Sequence, residues 1–272
     1  MSLKDKVEIG LSGFRFDSDK KVFYPKGLQQ NRFIEYYAKH FTILEINSTY
    51  YGLPSESVFE RFNRLTPQDF KFIVKLPGSM THERINPKSD YGHFIKLLHK
   101  IDNPGKLKGL LAQFPQSFRN NKKNIEYIKS LKRLFAGHIK GDNLYIEFRH
   151  ESWLDDKIFK MLQQENMGIV SVDEPDLPEL MTRELINTTD EIYLRLHSRN
   201  KEKWYEGRDE RYNYYYSEDE IREIIKKLDR KTKDRMKALV FFNNCHRGSA
   251  VKNAEKMKLL LGQDFGPPNL GF

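Results

Sequence analysis

Short apolar runs recur along the chain, each about one strand long and separated by stretches whose apolar positions repeat at helical spacing. Eight strands are predicted, over residues 7–11, 43–46, 71–76, 107–113, 143–148, 168–172, 191–196 and 238–242. Several are almost continuously apolar, as VEIGL and ALVFF are, which is the signature of strands buried on both faces of a parallel sheet. Between them, Phe33, Ile34, Tyr37, Ala38 and Phe41 share one helical face. So do Tyr91, Phe94, Ile95, Leu98 and Ile101, and again Ile125, Ile128, Leu131 and Phe135. Ser217 and Glu220 form a capping box ahead of Ile221, Ile224, Ile225 and Leu228. Gly248 and Ser249 open a last helix through Val251, Ala254, Met257 and Leu261. Only the stretch after the sixth strand, with Pro175 and Pro178, lacks a helical pattern. Eight successive βα units without a linker predict one α/β domain over residues 1–272, a (β/α)₈ TIM-like barrel. An open doubly wound sheet is the other arrangement for such a pattern, and the missing GxGxxG and the count of eight argue against it.

Composition narrows the picture. Of 272 residues 38% are hydrophobic and 13% aromatic, enough for a sizeable core and not the make-up of a disordered or fibrous chain. A single cysteine, Cys245, excludes a disulfide framework and a cysteine-rich metal site, which fits a reducing cytoplasm. No run has the length of a signal-peptide core or a membrane span, so a cytoplasmic protein without a membrane partner is expected. The 47 Lys and Arg outnumber the 38 Asp and Glu by nine, but they are spread along the chain, as on a solvated basic surface.

In this architecture chemistry is built at the C-terminal strand ends and the loops after them. Polar residues gather there from every strand: Ser12 and Gly13, Glu45 and Asn47, Lys75 with Thr81 and His82, Gln113, Glu147 with Arg149 and His150, Asp173, Arg195 with His197, and Asn243, Asn244, His246 and Arg247. Stability alone would call for few buried charges, so the set points to function even where single members form structural ion pairs.

These same positions carry a resemblance. FYP at 23–25, Tyr36-Tyr37-Ala38 with Phe41, and EINSTYY at 45–51 resemble the DUF72, or YecE-like, family. The likeness continues through Thr66-Pro67, Phe72 to Lys75, Thr81-His82, QFP at 113–115, EFRH at 147–150 with Trp153, Asp173, RLH at 195–197, and FNN at 242–244 followed by Gly248, Ala250, Asn253 and Ala254. It implies a (β/α)₈ barrel and leaves the activity open. Two departures stand out: Ser12-Gly13-Phe14-Arg15-Phe16 where the family often has Ser-Gly-Trp-x-Tyr, and His197-Ser198 where it often has His-Gly.

Three chemical readings follow. In the first, the protein is an enzyme of acid–base type acting on an anionic or phosphate-bearing small molecule. Glu45 and Glu147 face each other across the mouth as acid and base, Lys75 holds an anion, activates a carbonyl or forms a Schiff base, and His82 and His197 transfer protons. Asn47, Tyr51, Gln113, Arg149, Asp173, Arg195, Asn243, Asn244 and Arg247 would bind the substrate. The segment 243–249 adds a phosphate site at a helix N-terminus, with Arg247 as its cation. The second reading is a metal-dependent hydrolase or isomerase, for which the ligand types exist but no HxH or HExxH spacing, and which Lys75, Arg149 and Arg195 would crowd. The third is a non-catalytic module for single-stranded nucleic acid, built on the aromatic and basic loop 203–216, KWYEGRDERYNYYY; the plainer role of that loop is a lid. Cys245 is a packing residue or a nucleophile. No cofactor-binding signature is present, and the sequence is silent on oligomeric state.

Overall fold

A computed structural model describes residues 2–15, 23–84, 90–141, 143–232 and 236–265, without the side chains of Arg208, Asp209 and Arg247. Phe16 and the phosphate contact expected of Arg247 lie outside what is described. After α1 (Leu3–Lys6) come the parallel strands β1 (Val7–Ser12), β2 (Ile43–Ile46), β3 (Lys71–Lys75), β4 (Leu107–Gln113), β5 (Leu144–Glu147), β6 (Met167–Asp173), β7 (Glu191–Leu196) and β8 (Lys237–Phe242). They close in sequence order, and β1 completes the ring against β8 by pairing Val7 with Ala238 through Leu11 with Phe242. The fold is therefore a single (β/α)₈ barrel, and all eight predicted strands lie within one or two residues of those found.

The outer layer comprises α2 (Phe33–Tyr37), α3 (Glu56–Leu65), α4 (Tyr91–Asp102), α5 (Lys122–Phe135), α6 (Asp156–Gln164), α8 (Glu218–Lys231) and α9 (Ser249–Leu261), while the four-residue α7 (Arg208–Arg211) belongs to the loop after β7. The capping box at α8 forms: Glu220 N donates to Ser217 Oγ at 3.2 Å and Ser217 N to Glu220 Oε2 at 2.8 Å. As the prolines indicate, no helix follows β6. Residues 174–190 run through turns and bends without regular secondary structure, pinned where Ser171 Oγ accepts from Ile186 N at 2.9 Å and Thr188 Oγ1 from Ile169 N at 2.8 Å. The Tyr37 hydroxyl mends the short β1–β2 ladder, accepting from Leu11 N at 3.0 Å and donating to Ile43 O at 2.8 Å.

Strand positions two apart face the same way, so the registers separate the barrel interior from its outer wall. Tyr145, Tyr193 and Phe241 face inward, and their rings meet in turn, with centroids 4.9 and 5.1 Å apart. Glycines stand opposite. A Cβ on Gly10 would lie 2.8 Å from the Phe241 ring, and one on Gly109 or Gly168 would lie 2.7 or 2.6 Å from the Tyr145 ring. This aromatic plug fills the barrel and forms the floor on which the charged layer rests.

Candidate active site

One step above the plug, the inward positions of β2, β5 and β7 are Glu45, Glu147 and Arg195, all essentially without solvent contact. The two carboxylates do face each other across the barrel, as expected, but the Arg195 guanidinium occupies the space between them. Arg195 Nη2 reaches Glu45 Oε1 at 2.6 Å, and Nη1 makes a short contact with Glu147 Oε2. Tyr193, two residues before Arg195 on the same face, donates its hydroxyl to Glu45 Oε2 at 2.6 Å. Burial raises the Glu147 carboxyl, but Arg149 and Arg195 outweigh that and hold it well below the usual carboxylate range.

Arg149, two residues beyond Glu147, extends the network outward. Its Nε lies 2.6 Å from Glu147 Oε1, its Nη1 3.1 Å from Glu174 Oε2 and its Nη2 3.1 Å from His197 Nε2. The His197 ring is enclosed by three groups: Nε2 faces both Arg149 Nη2 and, at 3.4 Å, Glu147 Oε1, while Asn243 Nδ2 lies 2.9 Å from Nδ1. Burial first, and then the Arg149 charge, push the His197 imidazole down to about 3, so it stands neutral. Burial pushes the Glu174 carboxyl up to about 7, against the pull of Arg149 and of the Met181 N–H, which donates to Glu174 Oε1 at 3.0 Å.

Above this network opens a cleft of about 470 Å³, in the range of small-molecule sites. Lys75, His82, Gln113 and Arg149 form its depth, Tyr50, Tyr51, Pro115, Gln116 and Leu180 its sides, and Trp204, Arg211 and Tyr212 its cover. Lys75, Arg149 and Arg211 thus face it together with His82, and no Asp or Glu is among its described lining residues. Lys75 Nζ donates to Gln113 Oε1 at 2.7 Å and lies 4.4 Å from the Tyr50 ring centroid. Gln113 is turned that way because its own Nε2 donates to Phe114 O at 2.9 Å. Burial, and then the nearby Arg195 charge, bring the Lys75 amine down to about 7. His82 stands on a single π-helical turn, Ser79–Glu83, that ends in a left-handed Arg84 (φ 54°). Thr81 Oγ1 holds its Nδ1 at 3.0 Å, and burial, then the Lys75 charge, lower it to about 4.

The loop 203–216 packs on the barrel as a lid. Trp204 is buried, with the Arg149 and Arg211 guanidiniums 5.9 and 5.2 Å from its ring, while Arg211 Nε donates to Trp204 O at 2.8 Å. Tyr212 meets the His197 ring at 5.8 Å.

Of the residues singled out in the sequence, Lys75, His82, Gln113, Arg149 and Tyr51 line the cleft, whereas Glu45, Glu147, Arg195 and His197 lie beneath it. Asp173 is placed on the outer wall, chelated by Arg199 (Nη2 to Oδ2 2.7 Å) and bonded by the Tyr216 hydroxyl at 2.9 Å. Val172 pairs with Arg195, so the inward parity passes to Glu174, which the sequence reading did not single out. Asn244 is taken up by Tyr214 O and Asn253 Oδ1, at 2.9 and 2.8 Å. Asn47 Oδ1 is buried without a hydrogen-bond partner among the described residues. Cys245 packs against the end of β1, its thiol 3.8 Å from Ser12 O. Among the described residues no group of three or more His, Cys, Asp or Glu comes together as metal ligands would. Tyr193 was missed although period-two alternation from Arg195 marks it, and Arg211 was read only as part of the loop.

A family model described as "Protein of unknown function DUF72" matches residues 8–269. The chain belongs to the DUF72 family. It is similar to the UPF0759 protein YunF of Bacillus subtilis (strain 168), 28% identical over 95% of this chain and 96% of that one. Among solved structures, a DUF72 family protein from Thermotoga maritima MSB8 superposes with a TM-score of 0.84 at 38% identity, covering 94% of this chain and 99% of the other. A DUF72 family protein from Enterococcus faecalis V583 shares the fold, with a TM-score of 0.79 at 24% identity over 97% and 99% of the two chains. DUF72 membership fixes the architecture and assigns no activity. Among the described residues no helix is long and apolar enough to cross a membrane.

Proposed function

We propose that this DUF72 protein is an enzyme whose cleft takes an anionic small molecule, and that Lys75 and His82 are the groups that touch it. The observation that carries this reading is the lining itself: Lys75, Arg149 and Arg211 face one cavity with no carboxylate among its described residues to neutralise them. Beneath the cleft the Glu147 and Glu174 carboxylates meet Arg149 from below. Arg149 hydrogen-bonds Glu174 and lies beside His197, and its Nε is in ion-pair contact with Glu147, so its five N–H groups are not all taken up from below. An amine near neutrality is a proton-transfer group suited to work at physiological pH, and the neutral His82 imidazole in the same cleft is a hydrogen-bonding partner for it or for the substrate. The proton-transfer role expected of Glu45 and Glu147 passes in this reading to Lys75, because Arg195 holds both carboxylates.

Titration calorimetry with inorganic phosphate and small carboxylates, at low ionic strength, tests it. Arg211→Ala is expected to weaken anion binding about tenfold, the loss of one charge-assisted contact, with an unchanged fold by circular dichroism. Equal affinity in both proteins, or no anion binding by either, would sink the proposal. The nucleic-acid reading retains Tyr205 and Tyr215 as exposed lid rings, since Trp204 and Tyr216 are buried against the barrel.

A further inference from the structure

Resting on that reading, we infer that the anion is also a carbonyl compound, an aldehyde or ketone bearing a carboxylate or phosphate, and that Lys75 binds it covalently as an imine. Imine formation requires an amine that is uncharged when the substrate arrives, within reach of the cavity and not tied to a carboxylate. Lys75 meets each condition. Its Nζ is at the depth of the cleft, and the hydrogen-bond acceptor beside it is the uncharged Gln113 amide oxygen rather than an acid. Among the described residues it makes no ion pair, and the Glu45 and Glu147 carboxylates are both taken by Arg195. With its amine at about 7, roughly half is nucleophilic at neutral pH.

The surroundings suit the remaining steps. The amine lone pair attacks the carbonyl carbon, a C–N bond forms, and the oxygen takes up a proton to give a carbinolamine. Water then leaves as the C=N bond forms, and the iminium nitrogen keeps one hydrogen. One water is released, one proton is taken up, and nothing is oxidised or reduced. His82, neutral and lining the same cavity, is placed to hydrogen-bond the amine or the substrate. The Tyr50 ring lies 4.4 Å from Lys75 Nζ and 4.9 Å from the His82 ring, so it holds the two groups on one aromatic wall. Gln113 Oε1 can accept from an ammonium, an amine or an iminium N–H, more strongly from the charged forms, so it positions the nitrogen through every stage. Arg149 and Arg211 then hold the anionic end.

Glyoxylate with cyanoborohydride is the probe, and glycolate, the same anion without a carbonyl, is the control. The full chain is expected to gain one reduced adduct, mapped by peptide mass to Lys75, at least tenfold faster than any exposed lysine. Its rate is expected to rise with pH through about 7 and to fall in the presence of glycolate. Lys75→Arg, which keeps the charge, is expected to lose the adduct and still bind glycolate. Glycolate binding without preferential labelling of Lys75 by glyoxylate would overturn the imine and leave the anion site standing. If neither anion binds, both readings fail together.

Discussion

Asn253 grips the backbone of Tyr216 from both sides. Its Oδ1 accepts from Tyr216 N at 3.0 Å and its Nδ2 donates to Tyr216 O at 2.7 Å, so one side chain from α9 imitates a strand partner for the end of the lid. Asn244 completes the clasp, donating to Asn253 Oδ1 and to Tyr214 O. Asn253→Ala is expected to free the lid rather than unfold the barrel. The two buried backbone groups left unpaired cost about 1–3 kcal/mol each where water cannot reach them. Limited proteolysis checks this: cleavage within 203–216 should quicken several-fold while the barrel remains resistant, and wild-type cleavage rates would exclude a clasp.

Arg195 is the keystone of the buried charges. Among the described residues, Arg195→Met leaves the Glu45 carboxylate with the Tyr193 hydroxyl alone and removes one of the cations that hold Glu147. Removing one partner of a buried ion pair costs about 3–5 kcal/mol, because the other charge stays buried. Adding Glu45→Gln to that variant is expected to recover part of the loss in urea titrations. A double variant less stable than Arg195→Met alone would show that the carboxylate is not the source of the penalty.

The His197 imidazole ties stability to acid pH. It takes a proton only near pH 3 in the folded protein, against about 6.5 in an unfolded chain. Between those values the unfolded state binds more protons, so stability falls as pH falls from about 6.5 toward 3. His197→Gln removes that term. Its stability relative to wild type should therefore improve steadily from pH 7 to pH 4, and a pH-independent difference in denaturation midpoint would count against it.

The interior plug predicts an overpacking defect. An added Cβ at Gly168 would sit 2.6 Å from Tyr145 Cδ1 and 3.1 Å from its Cε1, inside a ring that has no room to move away. Gly168→Ala is expected to cost about 1–3 kcal/mol. In a Tyr145→Leu background the same change should cost less, because the two positions share one space. Additive losses would show that the glycine has another reason to be there.

The barrel was legible because eight β-rich runs recur with helical periodicity between most of them, and the missing helix after β6 was legible from Pro175 and Pro178. The helices α3 and α6 were not singled out, although Phe59 with Phe62 and Ile158 with Leu162 give each a buried face. At the site, residue type alone gathers the right neighbourhood but not the right layer. Glu45 and Lys75 are both inward strand positions, yet one is ion-paired below the cleft and the other lines it. That difference depends on where the Arg195 side chain lies, which no local pattern encodes. For Asp173 and Glu174 the deciding fact is strand parity, set by the pairing of Val172 with Arg195 across two strands.

The seam between β1 and β8 has a consequence for how the protein is made. Val7 finds its partner only when Ala238 has been synthesised, and at about 5–20 residues per second the edge of β1 waits roughly 10–50 s for it. Through that interval an apolar strand with one unsatisfied edge leaves the ribosome unclosed. Such long-range pairing also makes closure a late event in refolding. Chaperone demand and aggregation during expression should therefore follow changes at this seam, such as in Leu11 or Phe242, more closely than changes of equal size in the walls opposite.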